Sequence, residues 1–214
     1  MPQRVTLPAR FVRERRLHDR SVLLVKRGTW QDVRPYRGFA LARNPFSVIA
    51  SQAAFEDEVS WRNRLSRWTS SIDPSLLPLR ESISCVELSA WLYTAQMLAA
   101  ARAGVPIVRF EDLLEDPRRE LERIISYLGL QWSEAVLESH SAYGPGEVGH
   151  GRIDLSRPIA QASGPISISL QPDDIRLIQR ITSAALETFG YTLRDAHVIC
   201  GPLPLRPVRS IPAT

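Results

Sequence analysis

An arginine and two serines recur at helical spacing in the stretch "ARNPFSVIAS". Arg43 follows an apolar run that predicts a strand, and Asn44 and Pro45 favour the N-cap and first position of a helix. Ser47 and Ser51 then lie one turn apart on the same helical face. Free backbone N–H groups at a helix N-terminus attract anions. The stretch therefore predicts either an anion site or an N-capped helix whose arginine forms a salt bridge.

A second stretch, "VRFEDLLEDPRRELERIISYLGL", combines the end of a strand with an amphipathic helix. The apolar run over residues 105–110 predicts the strand. Asp116 and Pro117 favour the start of the helix, and Gly129 favours its end. The apolar residues at helical spacing, which predict the buried face, are Leu121, Ile124, Ile125 and Leu128.

Strands and helices alternate along the chain, and this alternation predicts the fold. Strands are predicted over residues 21–25, 37–42 and 105–110, and helices from Pro45 to about Trp68 with an interruption allowed, over 83–104, and from Pro172 to near Gly190. Such an order favours an α/β domain with a mostly parallel sheet. Sheets of this kind bind ligands at the carboxyl ends of their strands, where Arg43 stands.

Composition divides the chain into three parts. Residues 1–20 form a basic N-terminal segment, residues 21–195 the α/β domain, and residues 196–214 a proline-rich tail that we predict to be disordered. Within the domain, residues 139–171 are rich in Gly, Ser and Pro and predict a long surface loop.

Taken together and in this order, the two stretches resemble the sulfotransferases that use 3′-phosphoadenosine 5′-phosphosulfate (PAPS). That family carries an Arg-x7-Ser element, often "vRnPxdvxxS", whose arginine and serine hold the 3′-phosphate of the donor, and Arg43 and Ser51 match it. The family also carries the pattern "YEDLxxDPxxxLxxIxxFLG". The positions that match it are Phe110, Glu111, Asp112, Leu113, Asp116, Pro117, Leu121, Ile124, Tyr127, Leu128 and Gly129.

The resemblance covers about residues 20–191 and implies both a fold and an activity. The fold is a three-layer αβα domain of the P-loop-like class with a mostly parallel sheet. The activity is the metal-free transfer of a sulfuryl group from PAPS to a hydroxyl or amine, leaving adenosine 3′,5′-bisphosphate (PAP). The acceptor, a small molecule or a glycan, does not follow from the fold.

The resemblance alone assigns three further positions to the donor site. Phe110 stands where the family more often has a tyrosine, so ring packing is kept and the hydroxyl is lost. The family loop that closes over the 3′-phosphate carries an arginine, and here Arg152 and Arg157 both qualify. The alternative for Phe110 is a core residue at the end of a strand, and the alternative for each arginine is a solvated side chain in a surface loop. The closing Gly190–Tyr191 matches the family, whereas "SGPISISL" replaces its tryptophan.

The stretch "LLVKRGTW" has the composition of a phosphate-binding loop but lies too close to Arg43 in the chain. In the family, a "PKSGTTW"-like loop holds the 5′-phosphosulfate, and a helix and a strand separate it from the Arg-x7-Ser arginine. Only 12 residues separate Trp30 from Arg43, too few for a crossover and the strand that follows it. We interpret "SVLLVK" as the family's next strand and expect the phosphate loop upstream of Met1. The catalytic base stays unassigned, and Lys26 is a candidate catalytic residue only.

The overall composition is that of a globular protein, with 44% hydrophobic and 23% charged residues. No apolar run approaches the roughly 20 residues of a membrane span. Two cysteines, Cys85 and Cys200, favour a reducing cytoplasm. The net charge of +4 is spread along the chain without a nucleic-acid-binding signature. We therefore expect neither a membrane nor a nucleic acid as a partner.

Two other functions stay open at this point. One is a non-catalytic or truncated sulfotransferase-like protein that binds PAP or another anion. The other is a P-loop-like kinase, against which the absence of "GxxxxGK[ST]" argues. The sequence also lacks "HExxH" and paired-cysteine spacings, so we expect no metal site.

Overall fold

The described part of the chain is a mixed α/β structure that is mostly helical. The computed structural model describes residues 39–55, 57–79, 81–104, 106–147, 156–158, 166–167, 170–195 and 197–203. The elements in chain order are β1 Ala40–Ala42, α1 Pro45–Phe55, α2 Glu58–Ile72, α3 Cys85–Arg102, β2 Ile107–Arg109, α4 Phe110–Glu115, α5 Pro117–Leu128, β3 Ile166–Ser167, α6 Pro172–Thr188, β4 Tyr191–Arg194 and β5 His197–Cys200. Short 3₁₀ helices span Pro74–Leu79, Glu134–Val136 and Ser139–Ala142.

Two parallel strands bring the two sequence motifs to the same edge of a sheet. β1 and β2 pair in parallel, with Ala42 opposite Arg109. Arg43 follows the end of β1, and Phe110 follows the end of β2 as the first residue of α4. The predicted parallel pairing is confirmed for these strands. The larger sheet and the three-layer arrangement remain predictions.

Helices α1, α2, α3 and α6 enclose the hydrophobic core, with α3 in contact with the other three. Apolar side chains that are almost fully buried include Phe46, Ile49, Leu65, Leu88, Ile178 and Phe189. Phe46 belongs to the first turn of α1, so the core anchors the N-terminus of that helix. Within the described residues, every helix is too short or too polar to cross a membrane.

Capping groups set helix boundaries where the sequence predicted them. The Oδ1 atom of Asn44 accepts a hydrogen bond from the backbone N–H of Ser47 at 2.8 Å. The carboxylate of Asp116 accepts one from the backbone N–H of Arg119 at 3.0 Å. Gly129 ends α5 in the left-handed conformation, with a φ of 72°. The predicted starts of α1 and α5 and the predicted end of α5 are confirmed.

The helical region after Pro45 is divided into two helices. The prediction was one helix, with an interruption allowed, that reached about Trp68. The interruption is present: α1 ends at Phe55, and Asp57 caps a new helix by accepting the backbone N–H of Ser60 at 2.9 Å. An aspartate at this position favours a new N-terminus over continuation of the old helix, which explains the break.

The C-terminal region contains an antiparallel sheet in the strand order β3-β5-β4. The structure differs here from the predicted disordered tail over residues 196–214, because His197–Cys200 forms β5. The side chain of Val198 in this strand is buried, and its burial favours the ordered strand. Residues 204–214, the basic segment 1–20 and the predicted strand over 21–25 lie outside the described residues.

Candidate functional site

Arg43 presents an exposed guanidinium at the end of β1. Its guanidinium carbon lies 4.9 Å from the centre of the Phe110 ring, a cation–π contact that orients the side chain. Its backbone carbonyl accepts a hydrogen bond from the Tyr93 hydroxyl at 2.8 Å. Within the described residues, no carboxylate forms an ion pair with Arg43. The guanidinium is therefore held against a ring while its donors face solvent.

The N-terminus of α1 lies directly beside Arg43. Asn44 is fully buried and caps the helix, and the first turn of α1 contains no acidic residue. The positive end of the helix dipole therefore has no neutralising side chain from its own first turn. Ser47 and Ser51, both half-buried, share one helical face. An arginine, a helix N-terminus and a row of hydroxyls are the groups that hold a phosphate or sulfate.

A buried carboxylate connects this helix start to α4. The Oε1 atom of Glu111 accepts two hydrogen bonds from Asn44, at 2.9 Å from the backbone N and 2.7 Å from Nδ2. Its Oε2 atom accepts a third from the Tyr191 hydroxyl at 2.8 Å. A buried carboxylate requires such compensation, and three donors provide it. Burial and the charge of Glu111 raise the pKa of Tyr191 well above its ordinary value, which keeps this phenol protonated.

A buried ion pair, close in the chain to this carboxylate, ties the C-terminal hairpin to β2. Arg109 binds both carboxylate oxygens of Asp112, at 2.8 Å and 2.6 Å. Its Nη1 atom also donates to the carbonyls of Phe189 and Gly201, at 3.1 Å and 2.8 Å. Burial lowers the pKa of Arg109, but the hydrogen bonds and charge of Asp112 contribute to a net rise. One guanidinium thus fixes three separate parts of the chain.

Gly190 lies directly beside this ion pair. A Cβ atom at Gly190 would stand 2.9 Å from the carbonyl oxygen of Pro202 and 3.2 Å from Nη1 of Arg109. The residue also has a φ of +66°, which other residues rarely adopt. These two constraints explain why glycine precedes Tyr191 at the end of α6.

The structure places the predicted site residues in four different ways. Arg43 and Phe110 are in contact, and Phe110 is half-buried. The predicted strand over 105–110 included Phe110, but β2 ends at Arg109 and Phe110 is the first residue of α4. Ser51 lies on α1 with its side chain half-buried. Arg157 is exposed in a short described segment. Lys26 and Arg152 lie outside the described residues.

Several residues of the site were not assigned a role from the sequence. Asn44 was predicted only as a cap, and Glu111 only as a match to the family pattern; Tyr93, Arg109 and Tyr191 were given no function. The long-range hydrogen bonds of these residues join positions 50 to 92 residues apart in the chain. The spacing of apolar residues along the sequence does not identify such distant pairs. The one local signal was a Glu and an Asp directly after a buried strand.

The described residues contain no cluster of three or more His, Cys, Asp or Glu side chains that could hold a metal ion. The groups gathered near Arg43 suit an anionic ligand instead. The chain matches none of the protein-family models with which it was compared.

Proposed function

We propose that this protein transfers a sulfuryl group from PAPS to an acceptor hydroxyl or amine. The observation that carries the proposal is the contact between Arg43 and Phe110 at the N-terminus of α1. These residues belong to the two stretches that resemble PAPS-dependent sulfotransferases. They meet at the carboxyl ends of two parallel strands, where α/β proteins bind ligands.

In this proposal, Arg43 binds the 3′-phosphate of the donor through two of its N–H groups. A guanidinium matches phosphate geometry in this bidentate way, and it is already oriented by the Phe110 ring. The helix N-terminus of α1 adds its positive potential, and the Ser51 hydroxyl donates a further hydrogen bond. Arg152 or Arg157 would close over the same phosphate.

The transfer itself breaks the bond between sulfur and the bridging oxygen of the 5′-phosphate and forms a bond from sulfur to the acceptor atom. The acceptor loses its proton, and PAP leaves with the bridging oxygen. By analogy with phosphoryl transfer, positive groups near the leaving phosphate lower the barrier. Lys26 is the candidate for this role, and the base that receives the acceptor proton is unassigned.

A second candidate function is the binding of PAP or a similar anion without transfer. The short spacing between Trp30 and Arg43 favours this reading, because "KRGTW" does not fit the family's 5′-phosphosulfate loop. The groups near Arg43 described above are assigned to the 3′-phosphate alone. Binding would then depend on Arg43 and Ser51 in the same way.

Binding and transfer are best measured separately on the full chain. Calorimetry with PAP and with adenosine 5′-phosphate (AMP) reports the contribution of the 3′-phosphate. We expect PAP to bind at least about tenfold more tightly, the effect of one or two hydrogen bonds to a charged group. Transfer is measured by incubating the protein with radiolabelled PAPS and a phenol, an alkyl amine or a glycosaminoglycan, and following the label on the acceptor.

Variants assign the binding to the proposed residue. Arg43→Ala is expected to remove the preference for PAP over AMP, whereas Arg67→Ala, at an exposed arginine of α2, should preserve it. Equal affinities of the unmodified protein for PAP and AMP would exclude the 3′-phosphate site and both candidate functions. Tight PAP binding without label on any acceptor would support the second candidate.

A further inference from the structure

The peptide group between Arg43 and Asn44 is held from both sides by side chains of two other helices. The Tyr93 hydroxyl, from α3, donates to its carbonyl oxygen at 2.8 Å. The Glu111 carboxylate, from α4, accepts its N–H at 2.9 Å. Because a peptide group is planar and its C=O and N–H point in opposite directions, these two contacts fix its orientation. The backbone from which the Arg43 side chain projects therefore has one defined direction.

The side chain of Arg43 is held by the same helix that holds its backbone. Glu111 binds the peptide group, and its neighbour Phe110 lies under the guanidinium at 4.9 Å. The first two residues of α4 thus contact both ends of Arg43–Asn44. We do not expect Glu111 to bind a phosphate directly, because an ionised carboxylate has no hydrogen-bond donor and carries the same negative charge as the phosphate.

We infer that Glu111 is a positioning residue for the anion site, acting with Tyr93 to aim Arg43 at a phosphate group. This inference rests on the proposed function, because it assigns Glu111 a role in the same 3′-phosphate site. Its hydrogen bonds to Asn44 orient the arginine, and its hydrogen bond from Tyr191 keeps the carboxylate in place. Binding of the 3′-phosphate then depends on a residue that does not touch it.

Glu111 affects anion binding in two opposite ways: its hydrogen bonds position Arg43, whereas its negative charge repels the anion. A variant that keeps the hydrogen bonds and removes the charge separates the two effects. Glu111→Gln keeps an oxygen for both Asn44 donors and places an amide opposite the Tyr191 hydroxyl, so positioning is retained. It also removes a negative charge from the neighbourhood of the bound anion, so PAP affinity is expected to stay equal or to rise. Glu111→Ala removes the contacts to both partners and is expected to misplace the arginine.

The test measures the ratio of PAP affinity to AMP affinity for the full chain by calorimetry. We expect Glu111→Ala to reduce this ratio at least about tenfold and Tyr93→Phe about threefold or more, while Glu111→Gln preserves or raises it. Glu122→Ala, at an exposed glutamate of α5, is the matched control and should leave the ratio unchanged. Circular dichroism establishes which variants are folded. If Glu111→Ala does not fold, Tyr93→Phe decides the question.

The outcomes distinguish this inference from the function on which it rests. If folded Glu111→Ala weakens PAP and AMP equally, or weakens neither, Glu111 has no positioning role. An unchanged ratio in Tyr93→Phe would likewise exclude the holding of the peptide group as the mechanism. If Arg43→Ala removes the preference while these variants keep it, the proposed function stands and this inference falls. If the unmodified protein does not prefer PAP, both fall.

Discussion

Asn44 and Glu111 are 67 residues apart in the chain and are joined by two buried hydrogen bonds to a single carboxylate oxygen. The pair connects the helix start that follows β1 with the helix start that follows β2. Two stretches that the sequence presents as separate elements are therefore one structural unit. Changes at either residue should affect stability as well as the candidate site.

Asn44→Ala is expected to destabilise the protein by about 2–4 kcal/mol, because it removes the helix cap and one of the three donors to a buried carboxylate. The control is Ser84→Ala, which removes the cap of α3, a hydrogen bond to Glu87 on an exposed part of the surface. Because the Ser84 hydroxyl accepts only the exposed backbone N–H of Glu87, Ser84→Ala should lower the free energy of unfolding by only about 1 kcal/mol. Urea denaturation measures both, and equal losses would contradict the role of the carboxylate.

Arg43→Lys tests whether the planar fork of the guanidinium matters for binding. A lysine keeps the positive charge but loses the bidentate contact and the flat stacking on Phe110. We expect PAP affinity to fall by about threefold to thirtyfold, measured by calorimetry at constant ionic strength. Arg67→Lys is the control and should change nothing. Full affinity in Arg43→Lys would mean that charge alone binds the nucleotide.

Ser51→Ala tests the second residue of the Arg-x7-Ser element. Loss of one hydroxyl donor to a phosphate is expected to reduce PAP affinity about threefold to tenfold and to leave AMP affinity unchanged. Ser47→Ala, on the same face one turn earlier, is the comparison. The larger effect should occur at Ser51. A larger effect at Ser47 would place the phosphate nearer the first turn of α1.

Gly190→Ala is expected to destabilise the protein by more than about 2 kcal/mol, because it adds a steric conflict to the strain of a positive φ. Gly104→Ala is a close control, since Gly104 has a φ of +71° but no atom within 4 Å of the added methyl group. Its effect should be limited to about 1 kcal/mol. Thermal and urea denaturation compare the two, and similar losses would argue against the close approach to Pro202.

Stability is expected to fall with rising pH from roughly pH 9, where an unfolded cysteine ionises, and more steeply above roughly pH 10, where unfolded tyrosines do. Burial raises the pKa values of Tyr93 and Tyr191 in the folded state, and burial raises that of Cys200 to about 11. Above the unfolded pKa values, the unfolded chain releases protons that the folded protein keeps, so unfolding is favoured. Each of the two tyrosines contributes up to about 1.4 kcal/mol per pH unit above about pH 10, and the half-buried Cys200 contributes less.

Tyr191→Phe provides the check on this pH dependence. The variant lacks one of the groups, so its urea midpoint should fall less steeply between about pH 10 and about pH 11 than that of the unmodified protein. At neutral pH it should be less stable, because Glu111 loses a donor. Parallel curves for the two proteins would show that Tyr191 does not contribute.

The sequence predicted those features that depend on neighbouring residues. Asn44, Asp116 and Gly129 act locally as caps, and each was predicted where the structure places it. The strand at His197–Cys200 was missed because its four residues lie between a charged turn and a Gly-Pro pair, and it is stabilised by pairing with β3 and β4, which local sequence does not show.

The sequence predicted the residues of the candidate site that would contact a ligand, but not the buried residues that hold them in place. Arg43 and Ser51 follow from spacing and from the family pattern, whereas the hydrogen bonds of Glu111 to Asn44 and Tyr191 depend on how strands and helices pack. The sequence alone does not distinguish a buried glutamate from a solvent-exposed one. Its partners become visible only when three distant segments are brought together.

The hydrogen bond from Tyr191 to Glu111 spans 80 residues and therefore sets an order of events during synthesis. A chain still on the ribosome can form α1, α3 and β2 before Tyr191 has been made, but it cannot yet satisfy Glu111. The carboxylate would remain hydrated and the peptide group beside Arg43 less restricted until the last hairpin arrives. If Glu111 positions Arg43 as proposed, the anion site would therefore be complete only after the hairpin that contains Tyr191 has been made.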